Sequence, residues 1–164
     1  MKTVLPNIIA WTGAGLLLLS ILSCTKVPQA FTVQEKQDEK EELQMPDKIK
    51  ITISGITLQI AIENNVATKA LVEALKQAPV TYTASDYGGF EKVGPLGRSL
   101  PADNSQITTR PGDVILYSGN QIVLFYGSNT WSYTRIGRME YSSLDELKAF
   151  LKAGKGNISV TLSL

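Results

Sequence analysis

Aromatic planes beside a few polar donors are what a recognition surface needs, and this chain gathers both in two segments. "SDYGGFEKVGPLGRSLP" at 85–101 carries Tyr87, Phe90 and Arg98; "NQIVLFYGSNTWSYTR" at 120–135 carries Gln121, Phe125, Tyr126, Trp131, Tyr133 and Arg135. Tyrosine and tryptophan combine apolar area with a polar handle. Arginine can clamp a carboxylate or carbonyl, or stack on a ring. Tyr87 and Phe90 sit among glycines, and loop-borne aromatics are better placed for binding than aromatics on strands. Phe125 and Trp131 fall on a strand pattern that favours core filling, and Trp131 is kept as a candidate beside Tyr133. Arg98 has a competing surface role as partner to Asp86 or Glu91. Arg135 has one in stacking on Trp131 and Tyr133. The candidate ligand-binding set is therefore Tyr87, Phe90, Arg98, Gln121, Trp131, Tyr133 and Arg135.

Other chemistry is scarce. The 164 residues contain no histidine, one cysteine and a formal net charge of +1. Without histidine no Ser/His/Asp triad can form, and the commonest general base is missing. A Cys/His zinc site and an intrachain disulfide are excluded for want of ligands and a second thiol. The near-zero charge gives no electrostatic footprint for nucleic acid. "GGFEKVGPLG" is glycine-rich but lacks the Gly-Lys-Ser/Thr that completes a phosphate loop. Asp86, Glu91, Asp103 and Asp113 match no calcium-loop spacing and are expected in solvated turns. No catalytic residue, metal or cofactor is assigned. The chain is expected to be a monomer.

The amino end is a separate unit. "MKTVLPNIIAWTGAGLLLLSILSC" places Lys2 before a long uncharged apolar run. That pattern suits a signal peptide over residues 1–23. "ILSC" at 21–24 resembles the bacterial lipoprotein signal, which implies acylation of Cys24 and a membrane anchor there. An uncleaved membrane span is the simpler alternative, since spans need about 20 apolar residues. Residues 24–46 include "EKQDEKEELQ", highly charged and without an apolar stripe, which reads as a solvated tether. The expected location is the cell envelope, facing the periplasm or cell surface.

The folded part is expected over 47–164. "KIKITI" and "ITLQIAI" alternate strictly, with Ile49, Ile51 and Ile53, then Ile56, Leu58, Ile60 and Ile62, each on one face. Only Ser54-Gly55 separates them, as in a tight hairpin. "NNVATKALVEALKQAP" changes to helical spacing, with Asn64 or Asn65 as cap and Pro79 past the end. "VTYTA" reads as a strand, and 85–101 as too irregular for strand or helix. Pro111-Gly112 suits a type II turn. Residues 113–139 read as a three-stranded antiparallel meander, its first hairpin turning at Gly119-Asn120. "SSLDELKAFLKAG" is a second helix, with Ser143 and Glu146 as capping box and Gly154 as C-cap. "NISVTLSL" closes with Ile158, Val160, Leu162 and Leu164 inward. These elements make a mainly β protein with two helices, a closed antiparallel β-barrel of about eight strands with helices at its ends.

"SDYGGFEKVGPLGRSLP", "ITTRPGDVILY" and "NQIVLFYGSNTWSYTRIG", in that order, resemble a bacterial family of cyclophilin-like domains over residues 48–164. The resemblance implies an eight-stranded cyclophilin-type barrel and no established activity. Cyclophilins proper isomerise the bond before proline and carry a Phe-His-Arg run, which this chain lacks. The expected function is a membrane-tethered, non-enzymatic binding module. Its ligand, a small molecule or an extended peptide, would lie between the 85–101 segment and the meander. The alternative is a peptidyl-prolyl isomerase-like activity in the cell envelope.

Overall fold

Alternating isoleucines start the sheet. Strand β1, Lys48–Ile53, buries Ile49, Ile51 and Ile53, and β2, Ile56–Ile62, returns beside it with Ile60 beneath. Ser54 and Gly55 turn the corner at φ values of 50° and 80°. Both are left-handed, as a primed hairpin turn requires. The computed structural model describes residues 44–164. The expected signal peptide, Cys24 and nearly all of the tether lie outside the described residues.

Helix α1, Val66–Gln77, follows. Asn65 caps it, its Oδ1 accepting from the Thr68 backbone at 3.0 Å. The same side chain donates to the Arg135 carbonyl at 2.7 Å, which ties the helix start to a distant strand. Strands β3, Val80–Tyr87, and β4, Glu91–Pro95, form a hairpin across Gly88 and Gly89. Much of the segment expected to be irregular is thus strand. Its glycines mask the alternation by serving as turn residues and close-approach points. At Gly94 a Cβ would overlap the Thr83 carbonyl oxygen.

Residues 105–139 hold β5, Ser105–Thr108, β6, Asp113–Tyr117, β7, Gln121–Phe125, and β8, Thr130–Met139. Pro111-Gly112 makes the expected turn: the Asp113 N–H donates to the Arg110 carbonyl at 3.0 Å, with Gly112 at φ 90°. The β6–β7 turn is carried by Ser118 and Gly119, both left-handed, one position before the expected pair. The chain then departs from a meander. Strand β8 pairs with β6, not with its sequence neighbour β7, so β6 lies between them. Strand β7 instead pairs with β4, which joins the two hairpins directly in one sheet.

Helix α2, Leu144–Phe150, starts at Ser143, whose Oγ accepts from Glu146 N at 3.2 Å. Glu146 reaches back to the Ser142 N–H, one residue earlier than a standard capping box. The helix ends before Gly154. Lys152, at φ 48°, takes the left-handed position, with Lys152 N bonded to the Ala149 carbonyl and Ala153 N to that of Lys148. That is a Schellman ending built on a lysine. Strand β9, Ile158–Ser163, then fills the gap between β1 and β3. Leu164 lies beyond it and is exposed, contrary to the inward expectation, because pairing ends at Ser163.

The ring runs β2-β1-β9-β3-β4-β7-β6-β8 and closes by β8 pairing with β2, leaving β5 outside on the free side of β8. Its interior is packed with Ile51, Ile60, Leu116, Leu124, Ile136 and Val160, while Leu71 and Leu75 of α1 and Leu147 of α2 join the same core. A bulge between Val114 and Ile115 skips Ile136 in the pairing, so Ile136 and Met139 both reach this core. Closure is tight at Gly137, where a Cβ would overlap the Ala61 carbonyl oxygen and crowd the Ile62 backbone.

One charge pair is built into the ring. Lys92 is fully buried and lies 2.7 Å from Asp86 across the β3–β4 hairpin, and it also donates to the Gly156 carbonyl. Asp86 further accepts from Tyr126 Oη at 3.0 Å, Gly154 N at 3.1 Å and Gly156 N at 2.9 Å. Burial pushes the Asp86 carboxyl up. The hydrogen bonds from Lys92, Gly154, Tyr126 and Gly156 outweigh it and hold the group below its ordinary value. The network fastens the segment before β9 to the hairpin.

Two outcomes are expected. Gly137→Ala should cost about 3 kcal/mol or more in urea unfolding, since backbone rather than a flexible side chain meets the new methyl. Lys92→Met should cost about 3 kcal/mol at pH 7 by leaving Asp86 uncompensated. Asp86 has a lowered native pKa, so its contribution is lost as pH falls through that value. The Lys92→Met deficit should therefore shrink at acid pH, and a deficit that stays constant with pH would contradict the assignment.

Candidate binding site

Side chains alternate across each strand, so the strands that fill the barrel also present a second face outward. On β7, Ile122 and Leu124 enter the main core, while Val123 and Phe125 join Ile115 and Tyr133 in a separate cluster on the outer face. Over this outer face of β4, β7, β6 and β8 opens a cavity of about 400 Å³. Its floor is the cross-strand pair Val93 and Val123. Tyr117 and Gln121, opposite one another on the β6–β7 hairpin, form one side, and Tyr133 and Trp131 of β8 another. Tyr87 and Glu91 enter from the β3–β4 hairpin, and Asn129 from the turn before β8.

The aromatic walls are braced from behind. Phe125 is fully buried, with Tyr133 edge-on at 5.9 Å and Phe90 stacked at 6.3 Å. Tyr117 meets Tyr133 edge-on at 6.0 Å. Phe90 fits between two glycines: a Cβ on Gly88 or Gly127 would strike it, and its carbonyl accepts from Tyr126 N and Gly127 N. Asn129 Nδ2 donates to Tyr133 Oη at 3.0 Å, and its backbone is pinned by Thr109 Oγ1 at 2.9 Å. Strand β5 supports the same wall by pairing Ser105 with Tyr133 and Ile107 with Trp131.

The electrostatics centre on Glu91. Among the described residues it is the one charged side chain lining the cavity, it is only 5% exposed, and its Oε2 has no hydrogen-bond partner. Burial pushes its carboxyl up to about 7. Burial, the main cause, also raises Tyr133, with the charge of Glu91 adding to it.

Of the sequence candidates, the fold brings Tyr87, Gln121, Trp131 and Tyr133 to this cavity. Phe90 stands behind the wall. Arg98 lies off the cavity, exposed between buried Leu96 and Leu100, whose N–H groups bond to the Asn120 and Gly119 carbonyls at 2.8 and 2.7 Å. That stretch is a fastening, and Lys92 takes the Asp86 partnership offered to Arg98. Arg135 shares the outward face but points to Asp113 at 3.4 Å and Glu63 at 3.5 Å. Trp131 is 56% exposed, so it is not core, whereas Phe125 is.

Sequence reasoning missed Glu91, Val93, Tyr117, Val123 and Asn129 as lining residues. Tyr117 and Val123 were legible from hairpin alternation, as outward neighbours of Gln121. Glu91 and Val93 are hidden in the sequence because Gly94 and Pro95 give their strand the look of a loop. Solvated turns are also wrong for three acids: Asp86 sits in strand β3 paired with Lys92, Glu91 is buried, and Asp113 is fully buried between Arg138, with Nη2 at 2.7 Å, and the Arg110 N–H at 2.9 Å. Among the described residues no group of three or more His, Cys, Asp or Glu is placed to hold a metal, and no helix is long and apolar enough to cross a membrane.

The raised Glu91 carboxyl gives a signed expectation. The folded state holds the proton more tightly than the unfolded chain, so stability falls as pH rises from about 4.5 to about 7 and then levels. Glu91→Gln should flatten that part of the profile and melt higher than the parent at pH 8. An unchanged slope in thermal melts across this window would show that the carboxyl is not desolvated.

The comparisons with known proteins agree with this architecture. A family model described as "Cyclophilin-like family" matches residues 51–163. Among solved structures, the chain is similar to the solution structure of the hypothetical protein AF2241 from Archaeoglobus fulgidus. The TM-score is 0.51 at 18% identity, over 75% of this chain and 98% of that one. At that identity the likeness is one of fold. The comparison with curated proteins finds no match. With the matched segment spanning nearly the whole ring, the chain belongs to the cyclophilin-like family.

Proposed function

We propose that the domain is a binding module of the cell envelope, held to a membrane through a lipid on Cys24. Its outer-face cavity takes a small molecule or a side chain of an extended peptide. One observation carries the reading. Tyr87 at 67%, Trp131 at 56% and Tyr117 at 36% exposure stand around one cavity whose deeper wall holds a buried, unpartnered carboxyl. Large aromatics grouped in the open mark interaction surfaces more than isolated apolar residues do. The volume lies within the ordinary range for small-ligand sites. The ring supports the strands under this face, so the site is largely preformed and little ordering is required on binding.

The tether follows from sequence alone, from the apolar run ending in "ILSC". Two acyl chains on such a cysteine anchor stably, where one holds weakly.

Two measurements test these claims. In a screen of metabolites and short peptides against the full chain, ligand-induced NMR shifts should cluster on Tyr87, Val93, Val123 and Trp131. Trp131→Ala should weaken the hit about tenfold or more without lowering the melting temperature, since the ring is largely exposed. Shifts confined to other faces would sink the binding site. Separately, the chain expressed with a labelled fatty acid should take up label, and Cys24→Ser should abolish it. Equal labelling of both would refute the anchor.

A further inference from the structure

Glu91 is the acid the fold leaves unmatched. Its neighbour Lys92 faces the opposite side of β4 and is committed to Asp86 and the Gly156 carbonyl. Arg135, on the cavity side of β8, is committed to Asp113 and Glu63. Arg98 lies off the cavity. So among the described residues no cation reaches the Glu91 carboxyl, although cations or backbone donors reach both Asp86 and Asp113. Tyr87, Tyr117, Trp131 and Tyr133 line the same cavity. Aromatic faces carry negative potential and attract cations. The floor, Val93 and Val123, is apolar. An anion would meet repulsion from Glu91 and from the ring faces. A simple hydrated metal ion would gain nothing from the valine floor.

We infer that the cavity recognises an organic cation, an ammonium or guanidinium group on an apolar stem, with Glu91 as counter-ion and the tyrosines and Trp131 as enclosing walls. The inference rests on the proposed reading of the cavity as a binding site and names the chemistry of its ligand. The cation head would satisfy Oε2, which has no partner among the described residues. The stem would lie on Val93 and Val123. A free alkylamine and the lysine or arginine side chain of an extended peptide share this chemistry.

The test uses the full chain with matched probes. n-Pentylammonium and n-pentylguanidinium are paired with neutral 1-hexanol. An acetylated, amidated pentapeptide of alanines around one lysine is paired with its norleucine counterpart. Binding is read from NMR shifts of the Val93 and Val123 methyl groups. At least one cationic probe should bind about tenfold or more tightly than its neutral partner. Glu91→Gln, checked by its melting curve, should erase that difference, chiefly by weakening the cationic probes. Tighter binding by the alkyl cations points to a free amine, and tighter binding by the lysine peptide points to a protein ligand; both support the inference. Equal binding of charged and neutral probes to these residues would overturn the inference but keep the binding site. Shifts absent for every cationic probe, while another compound from the general screen shifts the same methyls, would also overturn it. Silence from every compound would remove the binding site itself.

Discussion

The architecture depends on one backbone approach, that of β8 to β2. A barrel exists only if its first and last strands meet, and here the meeting is made by Ile60, Ala61 and Ile62 against Met139, Arg138 and Gly137. Strand β8 carries this closure at one end and the cavity wall at the other, pairing in turn with β5, β6 and β2. No other strand has so many partners. The bulge opposite Val114 and Ile115 lets it do so, because it changes which side chains face inward partway along the strand. Tyr133 and Trp131 can then face out at one end while Met139 faces in at the other.

The same ring treats the acids of β3, β4 and β6 unequally. Asp86 and Asp113 are each surrounded by donors, and each fastens a connection: the segment before β9 in one case, the turn into β6 in the other. Glu91 fastens nothing. Burying a carboxyl without partners is costly, and it raises the proton affinity of Glu91. A fold that satisfies its other acids this fully, and keeps one desolvated beside open aromatics, places its tension at the cavity. Residues that break local rules tend to lie at functional positions.

Much of the ring was legible because alternation is a two-residue rule and most strands obey it. "KIKITI" and "ISVTLS" announce their buried faces plainly, and Pro111-Gly112, Asn65 and Ser143 mark their own turns and caps. The order of strands was less legible. Nothing local distinguishes β8 lying beside β7 from β8 lying beside β6, since both edges of that hairpin are apolar. Strand β4 was missed because Gly94 and Pro95 look like loop residues. Gly94 is there for a close backbone approach, and Pro95 stands exposed at the strand's last position, as proline is tolerated only at such margins. Losing β4 hid Glu91. The arginines misled for another reason: sequence shows that Arg98 and Arg135 are near aromatics along the chain, but not which acids already hold them.

A closed ring has a further effect on what the surface can become. Its strands spend their backbone donors and acceptors on one another, with only the added strand β5 keeping an unpaired side. Anything that settles on the outer face of β4, β7 and β6 therefore meets side chains, not main chain. Those side chains alternate with the ones that hold the interior together. The exposed members of the outward set, Tyr87, Tyr117 and Trp131, can change one residue at a time while the buried residues of both faces keep the frame intact. The barrel is in this sense a fixed plate with a replaceable face, which lets one fold carry many different ligand chemistries.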